Sequence, residues 1–116
     1  MRLASFLEII EENAGLTPPE AERAARATLS TLGERITRGE ADDIAAFLPR
    51  ELREALTSAP EPAEPFGLDE FLRRVAEREG VDEETALSHA RAVFVALGQA
   101  VAGGELRDMA AQLPKD

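Results

Sequence analysis

FLEIIEENAGLTPPEAERAARATLSTLG, residues Phe6 to Gly33, returns 65 positions later as FLRRVAEREGVDEETALSHARAVFVALG, residues Phe71 to Gly98. No insertion or deletion disturbs the register, and the match runs on to Pro49 and Pro114, with 17 of the 44 positions from Phe6 to Pro49 identical to their counterparts. Several mismatches keep their character, as in Ile10/Val75, Leu29/Phe94 and Ile36/Val101. Two copies are too few for a solenoid, which needs about three units to bury a continuous core. The pair is therefore expected to close on itself.

Working outward, each copy reads as a series of helices. Phe6, Leu7, Ile9 and Ile10 form an apolar face that stops near Asn13, with Gly15 suited to a left-handed terminal conformation; Leu68 to Glu79 and Gly80 repeat the pattern. Thr17 before Pro18, Pro19 and Glu20 is a capping-box signature, and Asp82 with Glu83 and Glu84 takes its place in the second copy. A long helix follows, from about Pro19 to Thr37, with Ala21, Ala24, Ala25, Thr28, Leu29, Leu32 and Ile36 at helical spacing. Gly39 and Gly104 are expected to end the two long helices. A short third helix then carries Ile44, Ala45, Phe47 and Leu48, or Met109, Ala110 and Leu113 in the second copy. Pro49 opens a fourth helix, Arg50 to Leu56, in the first copy alone. Ser58 to Pro65, with Pro60, Pro62 and Pro65, is a semi-rigid linker. The expectation is thus an all-α bundle in one domain, residues 1 to 116. Two tandem modules of three to four helices, 3 to 56 and 66 to 114, are joined by the linker 58 to 65 and related by a pseudo-twofold axis, with seven helices in all.

Composition agrees and narrows the function. The chain has 116 residues, 44% hydrophobic and 31% charged, which suits a folded helical domain. Without cysteine there are no disulfides, no thiolate chemistry and no Cys-rich zinc site. The net charge of −10 repels a phosphate backbone, and the absence of Trp and Tyr removes the best stacking surfaces, so nucleic acid is not an expected partner. Glu8, Glu11 and Glu12 interrupt the first apolar stretch, and no segment approaches the ~18 apolar residues of a membrane span. A cytoplasmic location without membrane contact is the expectation.

The copies differ most in their long helices. Six charged residues lie between Ala21 and Arg38, whereas Arg91 alone is charged between Ala86 and Ala102, where Leu87, Ala92 and Val95 fall off the main stripe. A helix apolar nearly all round is buried on all sides. Either it is the central helix of the monomer, or another subunit covers part of it. Leu87 and Val95 mark the corresponding interaction surface, whether the partner is another protein or a second copy.

Few residues suggest chemistry. Arg26 and Arg91, each in an Ala-Arg-Ala segment, could form a paired anion site with His89, since guanidinium groups bind carboxylate or phosphate bidentately. The structural alternative has each Arg cap a neighbouring helix or pair with the repeated Asp43 or Asp108. Gly33 and Gly98, inside the long helices, suggest close helix approach, because glycine there costs about 1 kcal/mol relative to alanine. His89, the sole histidine, reads as a hydrogen-bonded residue at the core edge. Glu40, Asp42 and Asp43 complement a helix dipole better than they make a cation site. Phe6, Phe47, Phe71 and Phe94 are assigned to the core. No catalytic constellation, metal site or cofactor motif is present.

Phe6-Leu7 and Phe71-Leu72, the Ala-Arg-Ala segments followed by Leu32-Gly33 and Leu97-Gly98, the Gly39-Glu40 and Gly104-Glu105 pairs, and the closing Ala46 to Pro49 and Ala111 to Pro114 resemble the prokaryotic DUF2267 family over nearly the whole chain. The family is defined by similarity and has no established activity, so the resemblance implies a fold and no reaction. The sequence stops just after Pro114, short of the family's usual extent, and carries no expectation for a last helix. The favoured reading is a small helical interaction or structural module. The second is small-molecule or anion binding in the groove between repeats.

Overall fold

The computed structural model describes residues 1–112, with side chains described through Glu105 and at Ala111. Six α-helices and one 3-10 turn account for its regular structure, and the described residues form no strand. The first helix, α1 (Leu3–Ala14), buries Phe6, Leu7 and Ile10 and ends at Gly15, whose φ of 68° lets the following N–H, that of Leu16, reach back to the Glu11 carbonyl at 3.1 Å. A β-carbon disfavours that left-handed conformation.

Thr17 then starts α2 (Pro18–Arg35) through a complete capping box: its hydroxyl accepts the Glu20 N–H, and the Glu20 carboxylate accepts the Thr17 N–H at 2.9 Å. Small residues dominate the buried face of α2, where Ala21, Ala24, Ala25, Thr28 and Gly33 let neighbouring helices approach closely. This helix stops before Gly39, the expected end. Thr37 takes an extended conformation (φ −70°, ψ 160°) and builds a second capping box with Glu40, which starts α3 (Arg38–Ala45). Pro49 precedes a 3-10 turn (Arg50–Leu52) that leads into α4 (Arg53–Thr57).

The second half begins alike and ends differently. Following α5 (Leu68–Glu79), Gly80 adopts φ 73°, and the Asp82 carboxylate accepts the Thr85 N–H at 2.7 Å to cap α6 (Glu83–Gln112). This last helix has 30 residues and passes straight through Gly103 and Gly104. The expected break at Gly104 and the separate third helix with Met109 and Ala110 are therefore absent; Leu113 lies outside the described residues. The cause is local. Where the first copy has Thr37, the second has Ala102, which offers no oxygen to the Glu105 N–H, so nothing favours a turn over continued helix. Tertiary packing adds to this, because Gly104 is buried against the Phe47 ring, which a β-carbon would strike.

Helix α1 packs on α6, α5 on α2, and α4 along α2. The larger apolar cluster joins Phe6, Ile10 and Leu29 to Leu48, Leu52 and Leu56, and takes in Val93, Ala96 and Leu97 from the inner side of α6. A smaller cluster gathers Phe71, Val75 and Ala76 of α5 with Ala27, Ala86 and Ala90. Residues between α4 and α5 are held to the end of α2: the Glu64 N–H donates to the Glu34 carbonyl at 2.8 Å, and Arg35 Nε donates to the Phe66 carbonyl at 2.9 Å.

Candidate interaction surface

The outer side of α5 and α6 is where apolar side chains lack cover. Leu68 is 66% exposed, and Phe94 and Val95 are each 41% exposed. Phe94 was expected in the core with the other phenylalanines; its counterpart Leu29 is fully buried. The reason is that Leu48, Leu52 and Leu56 share a cluster with Leu29 in the first half, while no described residue occupies the corresponding place beside Phe94.

What remains there is an open cleft of about 560 Å³. Leu68, Phe71 and Leu72 of α5 and Leu87, Ala90 and Phe94 of α6 line it, together with Leu32 and Phe66. Phe71 lies at the centre, its ring 6.4 Å from that of Phe66 and 6.0 Å from that of Phe94. Arg35 and Arg91 supply positive charge to the lining. Both surface residues expected on α6 belong here: Leu87 lines this cleft, and Val95 lies with Leu87 and Arg91 along an adjoining depression. Gly98 faces open space, with nothing within 4 Å of where a β-carbon would stand.

The residues expected at an anion site are separated. Arg26 lines a cleft with Leu7, Pro18 and Glu22 on another part of the molecule, Arg91 lines the α5–α6 cleft, and His89 lines neither. The bonding partner of Arg26 is Glu22 at 3.0 Å, one turn earlier on the same helix, rather than Asp43; the side chain of Asp108 is not among those described. His89 Nδ1 lies 2.7 Å from Glu79 Oε1, with both side chains largely buried. Ala14 and Ala24 stand at the corresponding positions of the first copy.

A charge network beside the cleft fixes its Phe66 end. Arg74 donates to Glu70 at 2.7 Å, Glu64 at 3.0 Å and Glu34 at 3.2 Å, and its guanidinium lies 4.1 Å from the centre of the Phe66 ring. Arg78 donates to Glu34 at 2.8 Å and to the Thr31 hydroxyl at 2.6 Å. Hydrogen bonds from Arg73 and Arg74 hold the Glu70 carboxyl down at about 2, and those from Arg78 and then Arg74 lower Glu34. Every cation here is matched by carboxylates, so the network joins α2, α5 and the intervening segment and leaves no charge for a ligand. Glu40 is lowered as well, chiefly by the Thr37 N–H it caps. Among the described residues no group of three His, Cys, Asp or Glu side chains is arranged to hold a metal ion. None of their helices is long and apolar enough to cross a membrane.

Fold and surface together define a small all-helical protein whose described residues leave apolar side chains of α5 and α6 exposed. The chain belongs to the DUF2267 family, described as an uncharacterized conserved protein, whose family model matches residues 4–116. No curated protein matches the sequence.

Proposed function

We propose that the protein is an interaction module whose α5–α6 face takes up an apolar helical segment of a protein, in a cytoplasmic setting. The observation that carries this is the uncovered row of Leu68, Phe94 and Val95 beside an open apolar cleft. Contiguous apolar surface of this kind marks a binding site more often than a solvated face. A concave, aromatic-lined cleft between two helices suits a third helix laid into it, anchored through residues three and four apart.

The proposal includes a two-module architecture: α1 corresponds to α5, α2 to the first part of α6, and a pseudo-twofold axis runs between them. Reciprocal packing of α1 on α6 and α5 on α2 supports it. The second reading, a small molecule or anion held between the repeats, has less support, because Arg26 and Arg91 line separate clefts and His89 is engaged by Glu79.

Photocrosslinking in cells tests the interaction reading. A photoreactive phenylalanine analogue at position 94 is expected to form protein adducts, and the same analogue at exposed Arg23 to form none. Equal yields at both positions would overturn it.

A further inference from the structure

Charge in the α5–α6 cleft has the opposite sign to charge in the chain as a whole. The sequence carries a net −10, yet the charged residues lining the cleft are Arg35 of α2 and Arg91 of α6, and no carboxylate among the described residues lines it. The glutamates of the adjoining network are engaged within it: Glu34, Glu64 and Glu70 accept from Arg74, and Glu34 accepts from Arg78 as well. Glu84 shares the neighbouring depression with Arg91. It lies roughly 10 Å away along α6, two turns, beyond the one-turn spacing at which helix side chains pair. Both cleft arginines are exposed. Arg35 donates through Nε to the Phe66 carbonyl at 2.9 Å, and its two terminal nitrogens have no acceptor among the described residues.

The arginine on α6 stands among the apolar contacts rather than apart from them. Leu87, Arg91 and Phe94 are four and three residues apart and so share one face of the helix. Leu68, Phe71 and Leu72 show the same spacing on α5. From Leu87 to Phe94 the face is roughly 10 Å long, which suits an entering helix with apolar anchors at i, i+3 or i+4, and i+7. Guanidinium groups bind carboxylates bidentately, so an Asp or Glu next to an anchor can meet each arginine. A basic helix would instead set like charges against each other, which counts against it by several kcal/mol in a dry contact and by less at an exposed one. The net negative charge of the chain opposes an acidic partner at long range. At physiological ionic strength that repulsion is screened over about 8 Å, whereas a contact pair forms well inside this distance.

Resting on the interaction reading above, we propose that the α5–α6 cleft selects acidic amphipathic helices. The partner segment sets apolar residues at 3,4 spacing against Phe71 and Phe94, and carboxylates beside them against Arg35 and Arg91.

Display selection with the full chain as bait tests this. The library holds amphipathic helices with a constant leucine face and flanking positions drawn equally from Glu, Lys and Gln. Helices selected on the wild type are expected to be enriched in Glu, and those selected on Arg35→Glu/Arg91→Glu in Lys. Fluorescence anisotropy then compares one selected helix with its version carrying Gln at every flanking position. The advantage of the acidic helix is expected to shrink roughly two- to fivefold in Arg91→Gln, as for an exposed ion pair, and to shrink with added salt. Enrichment in Lys or Gln on the wild type, or enrichment in Glu that the double reversal leaves unchanged, would overturn the acidic partner. So would a cleft that takes dodecanoate and no helix, or a wild-type chain that dimerises in sedimentation velocity while Phe94→Glu stays monomeric. If the selected helices lack the acidic preference but lose binding to Phe94→Glu, only the chemistry of the partner has failed. If no helix loses binding to Phe94→Glu, the interaction reading fails with it.

Discussion

Thr28 buries a hydroxyl that finds no hydrogen-bond partner, and the residue at its position in the second half is Val93, equally buried. An unpaired buried hydroxyl costs its desolvation without return, whereas valine fills nearly the same volume. Thr28→Val is expected to stabilise the protein by about 1 kcal/mol. The change would be read as a higher denaturant midpoint at unchanged slope, and a lower midpoint would show that the hydroxyl is bonded after all. Residue chemistry was legible in the sequence where its partner is local. Thr17 with Glu20, Gly15 and Gly80 all behave as their neighbours in the chain dictate. The partner of His89 was not legible, because Glu79 belongs to a different helix and becomes adjacent only when α5 packs on α6. Arg26 reads differently once placed: exposed and paired with Glu22, it joins an ordinary surface pair worth a few tenths of a kcal/mol, about 0.3 to 0.5.

Between elements, Gly33 is where α4 meets α2. Replacing it with alanine would favour the helix by about 1 kcal/mol on propensity alone, but the new β-carbon would strike the Leu56 carbonyl oxygen, part of the backbone and unable to rotate away. The clash prevails, and Gly33→Ala is expected to destabilise the fold by about 1–3 kcal/mol in chemical denaturation; a gain in stability would mean that α4 stands off from α2. Helix starts were readable from capping residues, whereas the boundaries expected at Gly39 and Gly104 were not. Gly39 is a helix breaker by propensity, but the chain turns two residues earlier at Thr37, whose hydroxyl and Glu40 satisfy N–H groups at the start of α3. The same logic, applied to Ala102, accounts for the uninterrupted α6. The contrast between Thr37 and Ala102, rather than the shared Gly39 and Gly104, carries the sequence signal for the long helix.

Across the whole molecule, the acidic network around Arg74 couples folding to pH. Glu70, Glu34 and Glu64 all have carboxyls lowered in the folded state by arginine hydrogen bonds, Glu70 to about 2. A carboxyl with a lowered folded pKa contributes stability above its unfolded value of 4.5 and loses it as the pH falls through the folded value. Thermal stability is therefore expected to fall as the pH drops from about 4.5 to 2. Arg74→Leu is expected to melt lower than wild type at neutral pH, with the gap closing as the pH drops through that window. A constant gap would place the effect of Arg74 in its packing on Phe66 rather than in its charge. By itself the sequence determined the helical class, most caps and the contrast between two long helices, because these depend on spacing and on neighbours in the chain. Only the tertiary structure decided that α6 runs on unbroken, that Phe94 and Gly98 stand uncovered while Leu29 and Gly33 are sealed, and that Arg26 and Arg91 line different clefts. The reason is that burial depends on what a distant segment covers, and similar local sequence meets different neighbours in the two halves.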